Sequence, residues 1–291
     1  MSKFIRSATV QIRIRKGDFS GYEPTTITLK GLKISFAIQK NLSWATNTGV
    51  IKIWNLSADH RNLIKDFGDQ VTIYAGYERG NGESLLYIGD TTAVSHIFEL
   101  PEIITVLECG DGDKYVNQKH FSLSFQAQTP LKDVITSIAN QMGFDTIAEF
   151  ASTNQLVYEQ GKEFTGMLKD SLTAACDFCG LQWSVQNNGL QIIPKNGTIT
   201  QPAYKINAQT GMVGIPQRFT YKRQDFYILG PAVGWKVNTL LDPFILPGYR
   251  VDLESRYLGF QGIFRVETVR HFGDTYGPEW QTNMELTQLP A

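Results

Sequence analysis

Residues 50–77 read VIKIWNLSADHRNLIKDFGDQVTIYAGY, and their periodicity sets the fold class. Val50–Trp54 is a predicted strand that Asn55-Leu56-Ser57 ends. A short polar helix follows over residues 57–67, with Ser57 as its N-cap. Gly68-Asp69 turns the chain into a second strand, Val71–Tyr77. The helix is expected to bury Leu63, Ile64 and Phe67 and to leave Asp59, His60, Arg61 and Lys65 outside. No catalytic motif falls within this strand–helix–strand unit.

The same period extends on both sides. Ala8, Val10, Ile12 and Ile14 alternate with Thr9, Gln11 and Arg13, and Leu32, Ile34, Phe36 and Ile38 with Lys33, Ser35 and Ala37. Period-two alternation marks half-buried antiparallel strands. Further short strands are predicted at Leu85–Gly89, Thr92–Phe98 and Ile103–Cys109, with a turn at Asn81-Gly82. Residues 1–125 therefore read as a β-sandwich or barrel carrying one short helix.

The period then changes. Leu131, Val134, Ile135, Ile138, Ala139 and Met142 form the apolar face of a helix, with Thr129 as predicted N-cap, Pro130 at its first position and Gly143 as C-terminal cap. A second helix carries Leu168, Leu172, Ala175, Cys176 and Cys179 on one face and closes at Gly180. The tripeptide LKD opens both, and both the tripeptides (168 − 131) and the capping glycines (180 − 143) are 37 residues apart. Strands are predicted at Phe144–Ile147, Leu181–Val185 and Leu190–Ile193, the last after an Asn187-Asn188-Gly189 turn. Residues 126–198 thus read as a small α+β module of two pseudo-repeated helix–strand units.

From residue 199 the chain returns to β structure. Val233, Trp235 and Val237 alternate, as do Trp280, Thr282, Met284 and Leu286. An order of glycine turn, strand, strand ending in His, and strand occurs twice. It runs through Gly68-Asp69, Val71–Tyr77, Gly89–His96 and Ile103–Cys109, and again through Pro247-Gly248, Val251–Leu253, Gly262–His271 and Trp280–Thr287. Duplication of one barrel accounts for this, and so does the way β-rich sequences imitate one another.

Composition narrows the function. The 291 residues carry a net charge of −1, against the basic excess of a general nucleic-acid binder. No apolar run reaches the ~18 residues of a membrane span. The three cysteines form no even disulfide framework, and the N-terminus lacks a signal-peptide core, so synthesis in the cytoplasm is expected. Cys176-Asp177-Phe178-Cys179 has dithiol or half-zinc spacing, but both sulfurs continue an apolar stripe and read as core cysteines rather than redox groups. His60, His96, His120 and His271 match no metal motif and read as surface or interface residues. Gly110-Asp111-Gly112-Asp113 lacks the ligand ladder of a calcium loop and reads as a turn. Arg6, Arg13, Arg15 and Lys16 read as a solvated edge. Nucleophile-elbow and phosphate-loop motifs are missing. No catalytic, cofactor or metal residue is assigned, and an enzyme is not expected.

Several of these stretches are familiar. Val50–Ser57, Arg61, Gly68–Tyr77 and Tyr87-Ile88-Gly89-Asp90 resemble the baseplate hub proteins of tailed phages, a group related to the hub part of type VI secretion spike proteins. Leu246-Pro247-Gly248, Gly262–Val266, His271-Phe272-Gly273-Asp274 and Trp280-Gln281-Thr282 resemble the second barrel of that family. The resemblance implies a mainly β chain of two tail-tube-like barrels, residues 1–125 and 199–291, around the α+β insert at 126–198. It further implies a homotrimeric, pseudo-sixfold ring in the virion baseplate. Such a ring would join a hexameric tail tube protein to a threefold spike protein, touch tape-measure and other baseplate proteins, and let DNA pass without specific binding. Asp59, His60, Arg61 and Lys65 are then candidate assembly contacts. Two other readings are a type VI or other contractile-injection spike component and a glycan- or cell-wall-binding β-protein.

Overall fold

The computed structural model describes residues 4–14, 25–43, 46–64, 67–79, 82–112, 120–144, 147–150, 156–199, 202–221 and 232–289. The first part contains β1 (Phe4–Ile14), β2 (Thr25–Lys30), β3 (Ile34–Asn41), β4 (Thr48–Trp54), α1 (Ala58–Leu63), β5 (Gln70–Arg79), β6 (Gly82–Glu99) and β7 (Glu102–Gly110). Next come β8 (His120–Phe125), α2 (Leu131–Met142), β9 (Ile147–Phe150), β10 (Lys162–Met167), α3 (Leu168–Phe178), β11 (Leu181–Gln186) and β12 (Gly189–Pro194). The chain ends in β13 (Tyr204–Ile206), β14 (Met212–Tyr221), β15 (Ala232–Leu240), β16 (Arg250–Ser255), β17 (Phe260–Asp274) and β18 (Trp280–Gln288). The fold is mainly β with an α+β insert, as expected.

One sheet runs through both β regions in the order β14-β15-β18-β17-β3-β4-β7-β6-β5-β1-β2, with β16 on β17 and β13 on β16. The join lies at β17. Residues 260–265 pair with β16 and residues 268–274 with β3, so one long edge serves two partners. A bulge between Val266 and Thr268 separates the two segments.

The predicted echo has a structural counterpart. β5–β6–β7 and β16–β17–β18 are both antiparallel meanders with a long, bulged middle strand. Gly68 (φ 93°) and Gly248 (φ 89°) precede them in the left-handed region. His96 Nδ1 lies 3.2 Å from Thr105 Oγ1, and at the matching place His271 Nδ1 lies 2.9 Å from Thr282 Oγ1.

Three apolar clusters hold these parts. Val10, Ile12, Ile38, Ile51 and Ile73 belong to the first, which also takes Trp280 from β18. The second lies in the insert, where the predicted face of α2 is buried in full. Val251, Leu253, Val269 and Leu286 belong to the third. Each fully buried aliphatic side chain contributes about 1.5–3 kcal/mol. A small group, Leu42, Ile193 and Ile199 packed with Tyr249, ties the insert to strands on either side.

Several expectations need correction. Leu85–Gly89 and Thr92–Phe98 are one 18-residue strand, β6, because a bulge at Thr91/Ala93 resets the alternation without ending the ladder. Pro130, not Thr129, is the N-cap of α2, and the Thr129 hydroxyl donates to Gln126 O instead. Phe144 is buried but precedes the strand, which begins at Ile147. The two-stranded antiparallel sheet of β8 and β10 has no counterpart in the sequence reading. It makes the 37-residue repeat a strand–helix–strand unit, β8–α2–β9 and β10–α3–β11. Asn81 lies outside the described residues.

Candidate functional site

A broad surface feature is the sheet face opposite the first and third clusters. Alternation along β3 puts Phe36, Ile38 and Lys40 on the core side and Ala37 and Gln39 outside. Register carries that outer face in both directions. Gln39 opposes Arg270, Arg270 opposes Asn283, and Asn283 opposes Asn238. On the other side Ala37 opposes Val50, and Val50 opposes Glu108. Along these paired registers the charges of Lys52, Lys236 and Arg270 equal in number those of Glu108, Glu285 and Asp274, and they lie among Ala37, Val50, Val106 and Phe272, so this stretch of the face is mixed in character without an excess of charge. It is continuous only because β17 pairs with β3.

The sheet ends at β2 on one side and β14 on the other, and neither outer edge is paired among the described residues. Unpaired edges are templates for another strand. β14 is interrupted by Gly214-Ile215-Pro216, where its pairing with β15 jumps from Val213 to Gln217.

A buried polar cluster seats the insert on the first β region. Asn187 (φ 53°) and Asn188 (φ 64°) form the tight turn between β11 and β12. Their backbone N–H groups donate to the Asp111 carboxylate at 2.7 and 2.9 Å. Asn47 donates to Val185 O at 2.6 Å, and Gln186 donates to Asn41 O at 2.8 Å. Lys40, fully buried, donates to Leu86 O at 2.7 Å and to Asn187 Oδ1 at 2.8 Å. Burial holds the Lys40 pKa down to about 8, with the Asp111 charge opposing the shift. Burial also raises the Asp111 carboxyl above its ordinary value, against the pull of the Asn188 N–H, Lys40 and the Asn187 N–H.

The sign for Lys40 follows from linkage. Its unfolded value is 10.5, so the unfolded chain binds more protons between about pH 8 and 10.5, and stability rises with pH across that window. Below about pH 8 the full cost of burying the ammonium is present. Lys40→Met is expected to flatten this rise in a plot of melting temperature against pH. An unchanged slope would show that Lys40 titrates as an exposed lysine.

The predicted contact residues sit on or beside α1. Ser57 accepts from the His60 N–H at 3.3 Å, as an N-cap should. Asp59 is exposed, while His60 and Arg61 are half-buried. The Arg61 guanidinium donates to Leu56 O, which fixes it against its own helix. Lys65 lies outside the described residues. Leu63 and Phe67 correct the expectation of burial: Ile64 is fully buried, but Leu63 is 38% and Phe67 66% exposed. The helix is one turn too short for all three to share a face, so it presents apolar as well as polar contacts.

Cys176 is buried in the insert core and Cys179 packs beside it, and burial raises both thiols. Raised thiols resist ionisation, so neither is set up as a nucleophile. His271 corrects the surface reading. It is fully buried at the β17–β3 seam, and burial together with the Lys40 charge holds it well below the ordinary histidine value. Arg6 is half-buried and donates to Gly277 O and to Pro278 O (3.1 Å), bridging the two β regions rather than lying on a solvated edge. Arg15, Lys16 and Asp113 lie outside the described residues, as does the His120 side chain. Among the described residues no group of His, Cys, Asp and Glu is arranged to hold a metal, and no helix is long and apolar enough to cross a membrane.

Similar folds occur in tail and secretion proteins. A tail protein from Neisseria meningitidis MC58 superposes with a TM-score of 0.66 at 11% identity, over 98% of this chain and 97% of that one. The 43 kDa tail protein of prophage MuSo2 from Shewanella oneidensis gives 0.64 at 9% identity, over 97% and 98%. The Escherichia coli c3393 protein, a type VI secretion component similar to the phage T4 tail proteins gp27 and gp5, gives 0.58 at 9% identity, over 89% and 76%. At these identities the likeness is one of fold. Comparison with functionally curated proteins finds no match. The sequence matches a family of phage structural proteins over residues 9–257, and the chain therefore belongs to the baseplate hub gp41 family.

Proposed function

We propose that this hub is a homotrimer whose chains each contribute two tube-like barrels, residues 1–125 and 199–291, to a pseudo-sixfold ring, with residues 126–198 as an insert. The neutral outer face that crosses both β regions carries this reading. Three copies of a chain with two matched meanders present six similar surfaces to a hexameric tube and a threefold surface to a spike. The face then lines the channel for DNA and the tape-measure protein. Its balanced charges suit passage, since a basic lining would grip phosphate. The outer edges of β2 and β14, unpaired among the described residues, are suited to joining neighbouring copies. Asp59, His60 and Arg61, with exposed Phe67 beside them, are proposed to meet adjacent subunits, tube or other baseplate proteins, and Lys65 is assigned with them from sequence. The place of action is the virion baseplate, after synthesis in the host cytoplasm. The fold shared with the type VI component supports a second reading, a hub part of a contractile-injection spike.

Native mass spectrometry and negative-stain imaging of the purified chain test the proposal. The expected result is a trimer, alone or with spike or tube protein, seen as a three- or six-lobed ring with a central hole. A monomer that joins neither protein would overturn it.

A further inference from the structure

The outer sheet face is not featureless: where the Gly214-Ile215-Pro216 stretch interrupts the pairing of β14 with β15, Ile215 and Gln217 line a cleft of about 200 Å³ together with residues of β15, β17 and β18. Ile215 and Phe272 supply apolar sides, and Lys236, Arg270, Asn283 and Glu285 supply polar ones. Lys236 is already engaged, with Glu285 at 3.2 Å. Among the described residues the Arg270 guanidinium enters no hydrogen bond or ion pair, and Asn283 Oδ1 is buried without a hydrogen-bond partner. The cleft therefore holds a free cation, a buried acceptor in need of a donor, and an apolar side.

We propose that this cleft binds an acidic peptide segment of another protein, with a carboxylate on Arg270 and a backbone N–H on Asn283 Oδ1. The two demands come together in an amide-linked acid. A carboxylate matches the planar fork of arginine, and the neighbouring peptide N–H satisfies the acceptor. An apolar residue beside the acid would rest on Ile215 and Phe272. The volume is below the ~300 Å³ at which cofactor-sized pockets begin, which fits one or two residues. A phosphate group fits less well, because it brings no donor for Asn283 Oδ1. The cleft is complete in one chain and does not depend on a ring.

The test uses the full chain and a fluorescein-labelled hexapeptide ending in Leu-Phe-Glu with a free C-terminus, read by anisotropy. Binding is expected in the range of about 0.01–1 mM. Arg270→Gln should weaken it by about tenfold or more, and replacing the terminal glutamate by glutamine amide should do the same. Arg270 is exposed, so its replacement should leave the melting curve in place. Asn283→Leu should weaken binding while keeping the charge. A single-stranded oligonucleotide should not compete. The idea fails if no binding is seen at ~1 mM peptide, if Arg270→Gln binds as tightly as wild type, or if the oligonucleotide displaces the peptide, which would make the cleft a phosphate site.

Discussion

Asp111→Ala is expected to destabilise the protein by about 3–5 kcal/mol, the usual cost of removing one member of a buried charged network. Two carboxylate oxygens receive the N–H groups of Asn187 and Asn188. Removing them leaves both donors buried and unpaired, at about 1–3 kcal/mol each. Lys40 also loses the charge that offsets its burial. Asp111→Asn keeps the shape but turns one oxygen into a donor that faces an N–H, so its cost should be intermediate. Melting temperatures should fall in the order wild type, Asp111→Asn, Asp111→Ala, the last by on the order of 5–10 °C. Equal melting of wild type and Asp111→Asn would show that the carboxylate is not what seats the insert. Limited proteolysis adds a local readout, because loss of the anchor should expose the insert before the β regions unfold.

Gly273→Val acts at the other join. Gly273 opposes Phe36 across the β17–β3 seam, and a Cβ there would meet three carbons of the Phe36 ring well inside van der Waals contact. The ring cannot swing away freely. It is buried and lies edge-on to Trp280 at 5.5 Å, and Trp280 is also edge-on to Tyr77 at 6.4 Å. Overpacking of this kind costs about 1–3 kcal/mol, and valine's second branch places the effect at the upper end. The seam joins the two β regions, so assembly of the proposed ring should weaken along with stability. Phe36→Leu tests the cause, since it should make room and recover part of the loss. A coupling of about 0.5–3 kcal/mol between the two substitutions is expected in a double-mutant cycle of urea denaturation. Strict additivity would move the cause away from Phe36.

What was legible in the sequence had a local period. Val10, Ile12 and Ile14 lie where their alternation puts them, and α2 and α3 begin at the two LKD tripeptides, 37 residues apart. Boundaries failed where a neighbour decided them. The β6 bulge disguised one strand as two because β7 continues the ladder across it. The period of a longer helix put Phe67 on the buried face, but α1 stops at Leu63, and of the three apolar residues Ile64 alone is buried. His271 gave no sign of burial, since its surroundings come from β3 and from Thr282 on the next strand. Asp111 read as a turn residue, and its carboxylate's role became visible only with the Asn187-Asn188 backbone beside it. Arg270 and Asn283 are polar strand positions like many others. Only register, together with a bulge on a third strand, brings them to one cleft.

The β17–β3 seam also fixes a time order. Asn41 pairs with Thr268, 227 residues later (268 − 41). At ribosomal rates of 5–20 residues per second, β3 waits roughly 10–50 s before its partner exists. During that interval a ladder edge with an apolar inner face is open in a growing polypeptide, the condition under which nascent chains mispair. Completion of the sheet therefore waits for β17. A chain that stalls before β17 would be released as an adhesive half-sheet rather than as a smaller working part.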